Sequence, residues 1–276
     1  MNRNRLILNI VLVIIIYFAV QFACAFIIIA IHAVCKLMQG QTSPESLVGN
    51  VIHDTMGWVL IVSSVITIAL LGLLRKADLK TDFKWNGCEA RYIPFVIVAC
   101  AAGVIALDIL NEFLDLPDII RGEMSHMSGS VSGALAIALF GPVAEEVIFR
   151  GAICGGMLKA GVRPWTAIIV SAVIFGCVHL NPAQVPFAFL VGLMLAILYY
   201  KTGSLIPGTV VHILNNSWAV VMMNIYADEP DITFRQLLGQ TSSNIILILG
   251  LSLSAYMFHV YWRKKECRTT NADREQ

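Results

Sequence analysis

Runs of about 20 apolar residues, each long enough to cross a ~30 Å hydrocarbon core, constrain this chain more than any other feature. In hydrocarbon a segment must satisfy its own backbone N–H and C=O groups, so runs of this length read as helices. Eight can be drawn, at about 6–34, 56–74, 92–110, 131–158, 165–180, 184–200, 205–224 and 244–262. Charged residues make up 13% of the 276 positions, about half of the ~25% usual in soluble domains. The expected fold class is all-α: a polytopic helical membrane bundle of about eight transmembrane helices.

The loops set an orientation. Arg3 and Arg5 precede the first run, and Arg75, Lys76, Lys80, Lys84 and Arg91 follow the second. Lys159 and Arg163 follow the fourth, Lys201 the sixth, and Arg263, Lys264, Lys265 and Arg268 the eighth. The alternate loops are acidic, with Glu112, Asp115, Asp118 and Glu123 after the third run and Asp228, Glu229 and Asp231 after the seventh. Basic loops stay on the cytoplasmic side, so both termini are expected there, in a plasma (inner) membrane. The 75–91 loop reads as a short amphipathic surface segment with Trp85 as its anchor. The organisation expected is a single bundle over 1–262 and a polar cytoplasmic tail over 263–276.

Arg3 and Arg5 before an apolar run, with Ala23-Cys24-Ala25 further on, mimic a secretion signal. The run continues to Val34, beyond a signal core of about 7–15 residues, so a retained first span is expected. Seven cysteines show no CxxC pair, which argues against a disulfide framework or a cysteine metal site. No basic block is large enough for nucleic acid; the bilayer is the one partner composition requires.

Against this apolar background, Glu145-Glu146-Val147-Ile148-Phe149-Arg150 stands out inside the fourth run. Each charge at the bilayer centre costs roughly 2.5–3.5 kcal/mol on insertion-derived scales, so these groups must pair or line a polar cavity. Glu146 and Arg150, four apart, share a helix face and are placed to form an ion pair. Glu145, about 100° round the helix, is free for chemistry. Phe175 and His179 are likewise four apart in the fifth run, and His212 and Asn216 in the seventh. Singly, such groups are ordinary glue between membrane helices. His32, His53, His126 and His259 have no such companions and read as structural or exposed, and Asp108 as interfacial. Gly151, Gly155 and Gly156 read as close-packing positions.

Together, a carboxylate, two imidazoles and a carboxamide suffice for hydrolysis. The carboxylate takes a proton from water, aided by one imidazole, while the second imidazole and the amide stabilise an oxyanion. The same Glu145, His179 and His212 are also three potential ligands for a catalytic zinc. No HExxH helix supports the zinc version, and the cofactor stays open.

Glu145-Glu146-x-x-x-Arg150, Phe175-x-x-x-His179 and His212-x-x-x-Asn216, in this order on successive apolar helices, resemble the CPBP family. These are the CAAX-protease and bacteriocin-processing (ABI) intramembrane endopeptidases. The resemblance covers about 131–224. It implies peptide-bond hydrolysis in a membrane-associated peptide or protein, at a site built by the fourth, fifth and seventh spans. By motif position it makes Glu145 the base, with His179 assisting, and His212 and Asn216 the oxyanion donors. Glu146 and Arg150 become a supporting ion pair. The family is named for metalloproteases, yet a metal-free glutamate mechanism also fits; asparagine suits an oxyanion donor better than a zinc ligand.

Two other readings compete. A non-catalytic immunity or scaffold protein would use the polar groups for packing alone. A proton-coupled transporter would use them as a relay, although transporters often carry paired repeats and none is visible. The spacing also raises a problem of depth. His179 falls near the outer end of its run and His212 about seven residues from the cytoplasmic end of its own. A shared pocket requires a fifth helix that is short, tilted or shifted.

Overall fold

The computed structural model describes residues 3–40, 44–84, 93–229 and 232–263, and their regular structure is entirely helical. Trp85, Arg91, Cys88, Asp231 and the tail from residue 264 lie outside the described residues, as does the side chain of His53.

Each expected run is a helix. Helices α1 (Arg3–Met38) and α2 (Pro44–Leu73) pack along each other and are joined through α3 (Leu79–Asp82) to the remainder. Then follow α4 (Ile93–Asn111), α5 (Arg121–Ser128) and the long α6 (Val131–Lys159). The chain continues through α7 (Pro164–Cys177), α8 (Gln184–Thr202) and α9 (Ile206–Ile225), and ends with α10 (Phe234–Leu238) and α11 (Gln240–Arg263). Helix α7 packs against α8, and α4 against α11.

Six of these helices are long and apolar enough to cross a membrane: α1, α2, α4, α6, α8 and α11. The two exceptions carry site motifs. Helix α7 has 14 residues, about 21 Å at 1.5 Å per residue, well short of a ~30 Å core. Helix α9 has 20 residues, but Pro207, Gly208, His212, Asn215 and Asn216 keep it outside the apolar set. Because α7 stops at Cys177, His179 sits at the end of a short helix. Of a short, a tilted and a shifted fifth helix, the structure has the short one.

The main apolar cluster surrounds the second half of α6. Val147, Ile148, Phe149, Ile153 and Cys154 pack with Leu71 of α2, Phe175 of α7 and Ala196 of α8. A second cluster joins α4, α8, α9 and α11 through Val96, Cys100, Leu195, Val211 and Met257. Close approach at Gly155 is needed, since a Cβ there would meet the Tyr199 hydroxyl at 2.6 Å. A Cβ at Gly156 would meet nothing within 4 Å, so Gly156 is not a packing position.

Helix α6 is not a uniform α-helix. Ala136–Phe140 and Glu146–Cys154 are π-helical, with α-helical turns around and between them. The first widening has an identifiable cause. The Gly141 N–H bonds Ala136 O, five residues back, so the next carbonyl, that of Ile137, would look to residue 142. That residue is Pro142, which has no N–H to give. Ile137 O is left for a donor from elsewhere. Such π segments recur at functional sites.

The described part of the expected amphipathic surface segment, 75–84, is mostly at the surface and is tied down through buried Ala77 and Asp82. Asp78 caps α3 through the Thr81 N–H at 3.3 Å, and Asp82 is buried. The Asp82 carboxylate accepts the Tyr199 hydroxyl at 3.2 Å and the Asp78 N–H at 3.1 Å. Its backbone carbonyl accepts the Leu205 N–H at 2.7 Å. Burial pushes the Asp82 carboxyl above its ordinary range, whereas the hydrogen bond from Thr81 holds Asp78 below it. Tyr199 near the C-terminal end of α8 thus meets the Asp82 carboxylate and Leu205 at the start of α9 its backbone carbonyl, while Lys80, Thr81 and Lys84 stay exposed.

Candidate active site

Helix α6 supplies the charges. Glu146 and Arg150 are both buried, and Glu146 Oε1 lies 3.0 Å from Arg150 Nη1. The i, i+4 pairing expected from the sequence is present. Arg150 has 0% side-chain exposure, so its charge is shut off from bulk solvent. Its Nη2 donates to Gly192 O of α8 at 3.3 Å, and its guanidinium lies 4.3 Å from the centre of the Phe175 ring. Glu146 Oε2 and Arg150 Nε have no hydrogen-bond partner among the described residues.

Helix α9 brings His212 to this pair. His212 Nδ1 lies 2.9 Å from Glu146 Oε1. A carboxylate already facing an arginine is an acceptor, so Nδ1 carries the proton of this bond. The other ring nitrogen, Nε2, is 3.5 Å from Glu145 Oε2. His212 is therefore bracketed by two successive carboxylates of one helix. Glu145 differs from its neighbour in exposure, with 22% of its side chain accessible against 1% for Glu146.

Helix α7 contributes Phe175 and His179. The Phe175 ring is the hub: it meets Phe149 at 5.1 Å, His179 at 4.9 Å and His212 at 5.8 Å, each edge-on, besides receiving Arg150 on its face. His179 Nδ1 is 2.8 Å from Phe175 O. A carbonyl only accepts, so Nδ1 holds the proton and Nε2 keeps its lone pair. Tyr17 of α1 stands edge-on to Phe149 at 6.4 Å and within electrostatic reach of Glu145.

Asn216 lies one turn beyond His212 and has a structural task. Its Nδ2 donates at 3.0 Å to Ile137 O, the carbonyl that Pro142 leaves without a donor, and its Oδ1 accepts from Asn215 Nδ2 at 2.9 Å. One N–H of the Asn216 amide remains. Thus Glu145, Glu146, Arg150, His179 and His212 gather near Phe175, while the Asn216 side chain, among the described residues, bonds to Ile137 O and Asn215 rather than to these groups.

The hub role of Phe175, the Gly192 carbonyl and the approach of Tyr17 are additions from the structure. Phe175 did carry a signal, being four residues before a histidine in an apolar helix. The Gly192 carbonyl and Tyr17 carried none, because both reach the site from helices with no polar motif nearby.

By residue type alone, the same donors are a potential zinc set. No group of three His, Cys, Asp or Glu among the described residues is placed to hold a metal ion. His212 has both nitrogens turned to carboxylates and His179 has Nδ1 turned to a carbonyl. In this arrangement the residues do not fit a three-ligand metal centre.

Known proteins agree with the motif reading. Residues 127–218 match the family described as type II CAAX prenyl endopeptidase Rce1-like. The chain is 27% identical over 226 residues to the membrane-embedded CAAX protease MroQ of Staphylococcus aureus, covering 76% of this chain and 87% of that one. It is 31% identical over 113 residues to YdiL of Bacillus subtilis, a candidate membrane peptidase. These matches support the CPBP family. The YdiL alignment covers 41% of this chain and spans 43% of that relative. No solved structure matches. The CPBP match contains α6 and α7, all of α8 and the part of α9 that bears His212 and Asn216, which is the part of the bundle that builds the site.

Proposed function

We propose that this CPBP protein is an intramembrane endopeptidase that hydrolyses a peptide bond in a membrane-associated peptide or protein. One observation carries this reading. Of two adjacent carboxylates on α6, Glu146 is committed to Arg150 and His212, whereas Glu145 is partly open and faces the far nitrogen of the same histidine. That asymmetry separates a supporting carboxylate from a working one.

In the proposed reaction Glu145 takes a proton from water, and the resulting hydroxide oxygen bonds to the scissile carbonyl carbon. His179, with Nδ1–H held by Phe175 O, accepts a hydrogen bond from that water through Nε2. The carbonyl oxygen becomes an oxyanion. His212 in its doubly protonated form donates Nδ1–H to Glu146 and Nε2–H to the oxyanion, and the remaining Asn216 N–H is a second donor. The carbon–nitrogen bond then breaks, and Glu145 returns its proton to the departing amine. Glu146 and Arg150 fix the His212 ring. The protein works in the plasma (inner) membrane with both termini cytoplasmic, as the basic loops imply. No step is routed through a metal.

The test is cleavage of a fluorogenic peptide library by detergent-purified wild type and Glu145→Ala, with metal content measured on the same samples. The variant is expected to lose cleavage by a factor on the order of 10²–10⁴, the usual share of general acid–base catalysis, while keeping its unfolding midpoint. Activity is expected to survive chelation. Equal cleavage by both proteins would sink the assignment of Glu145. Stoichiometric zinc whose removal abolishes activity would bring Glu145, His179 and His212 together as ligands.

A further inference from the structure

His179 is the last site residue before the chain turns from α7 to α8, and the turn is held from outside. His179 and Leu180 close onto Gly176 O and Cys177 O through their N–H groups at 3.2 and 3.3 Å. Leu180 then adopts φ +53° with its side chain 73% exposed. A left-handed non-glycine residue persists only where its surroundings over-determine it. What over-determines it is the next residue, Asn181, which has no exposed surface.

The Asn181 amide is held in one orientation. Its Nδ2 donates to Asp118 Oδ1 at 2.8 Å, and its Oδ1 accepts the Ile119 N–H at 3.1 Å. Reversing the amide would set oxygen against carboxylate and N–H against N–H, so the assignment is fixed by its neighbours. The Asn181 carbonyl accepts the N–H groups of Gln184 and Val185 at 2.9 and 3.0 Å, which starts α8. Asn111 Nδ2 adds a bond to Ala183 O at 2.9 Å. Asp118 is itself steadied by Arg121, 3.3 Å away. The direct partners of the turn, Asn111, Asp118 and Ile119, come from the end of α4 and its connection to α5, which contribute no residue to the site.

The geometry points to Asn181 and Asp118 as positioning residues for His179: the α4–α5 connection clamps the turn so that the His179 ring reaches Phe175 O through Nδ1 and presents Nε2 to the site. Only the strained Leu180 separates the clamp at Asn181 from the imidazole. Freed from the clamp, Leu180 returns to ordinary backbone angles and His179 rotates off the Phe175 carbonyl. This inference rests on the proposed role of His179 for its effect on turnover, but not for the orientation of the ring.

The experiment uses the full chain in detergent. Asn181→Ala removes the clamp. Asn181→Asp sets a second carboxylate against Asp118, and combining it with Asp118→Asn exchanges donor and acceptor so that the bond between the two side chains is restored, at the cost of the long Ile120 N–H contact to Asp118 Oδ1 at 3.4 Å. On a cleaved peptide, Asn181→Ala and Asn181→Asp are expected to lower kcat by about 10²-fold, the scale of a 1 Å misplacement, with KM little changed. The Asp118→Asn/Asn181→Asp pair is expected to recover most of the loss. In a His179→Ala background, Asn181→Ala should cost nothing further; a full additional loss there would show a general structural role and overturn the inference. Nitrogen-15 spectra of labelled histidine read the ring directly. Wild type and the exchanged pair should show His179 protonated at Nδ1, and Asn181→Ala a mixture of tautomers. An unchanged His179 signal in a folded Asn181→Ala protein would overturn the inference even if no peptide is cleaved. Absence of cleavage by wild type would count against the protease reading alone.

Discussion

Helices α1 and α6 are both long and apolar enough to cross a bilayer, yet they solve different problems. Helix α1 runs for 36 residues, and its large side chains, Ile15, Phe22 and Phe26 among them, are mostly exposed. Among its described side chains there is no buried charge for neighbours to answer. Helix α6 holds two carboxylates and a guanidinium, interrupts its own hydrogen-bond register twice, and is buried from Glu146 to Cys154. These demands are met by other helices: Arg150 by Gly192 O, Glu146 by His212, Ile137 O by Asn216. Apolar length alone is enough to insert a helix. Charge within it requires neighbours that supply donors, acceptors and an aromatic face.

The sharpest way to break this contrast is to remove one compensating partner. Glu146→Ala would leave Arg150 buried without its counter-ion, and is expected to destabilise the protein by about 3–5 kcal/mol. By contrast Ile15→Arg, at an exposed position of α1, is expected to cost at most about 2.5–3.5 kcal/mol, because the long side chain can snorkel to water. Chemical unfolding of both variants in the same detergent makes the comparison. A cheaper Glu146→Ala would mean that Arg150 finds water or another partner.

A smaller effect tests the origin of the π register. Asn216→Ala orphans Ile137 O and is expected to cost about 1–3 kcal/mol of stability. Pro142→Ala returns an N–H to α6, so in that background the cost of Asn216→Ala should shrink by about 1 kcal/mol. Strict additivity of the two substitutions would disconnect Pro142 from Asn216.

The smallest effect concerns α3, where a carboxylate is buried without a full counter-charge. Burial raises the Asp82 carboxyl, so the native state binds its proton more tightly than the unfolded chain. Stability from this group is then greatest in acid and falls as pH rises from the ordinary carboxylate range through the raised value. Asp82→Asn, which keeps the shape and drops the titration, should remove that part of the decline. Unfolding midpoints of both proteins between about pH 4 and pH 7 measure it; parallel curves would refute a raised Asp82.

Legibility followed distance along the chain. The Glu146–Arg150 pair and the shared face of Phe175 and His179 were visible because a helix places residues four apart on one side, whatever surrounds it. The order of the three motifs also carried the resemblance to the family. Asn181 carried a local signal as well, since an Asn-Pro step two residues past a histidine marks a turn, but nothing local pointed to its partner at Asp118. The burial of Asp82 within the mostly exposed 74–84 segment was not legible, because its donors come from Tyr199 and Asp78 and nothing in a basic loop singles out one carboxylate for them.

The sequence by itself determined that this chain is a helical membrane protein with a polar centre, since apolar run length and i, i+4 spacing are local properties. Only the tertiary structure decided that α7 is short enough to bring His179 to His212, and that Glu146 rather than Glu145 holds the His212 ring. It also decided that Asn216 repairs a carbonyl freed by Pro142. Each of these is a contact between helices far apart in the chain, and its register depends on how deep each helix sits and which face it turns inward. Periodicity specifies a face only relative to its own helix. Packing decides what that face meets.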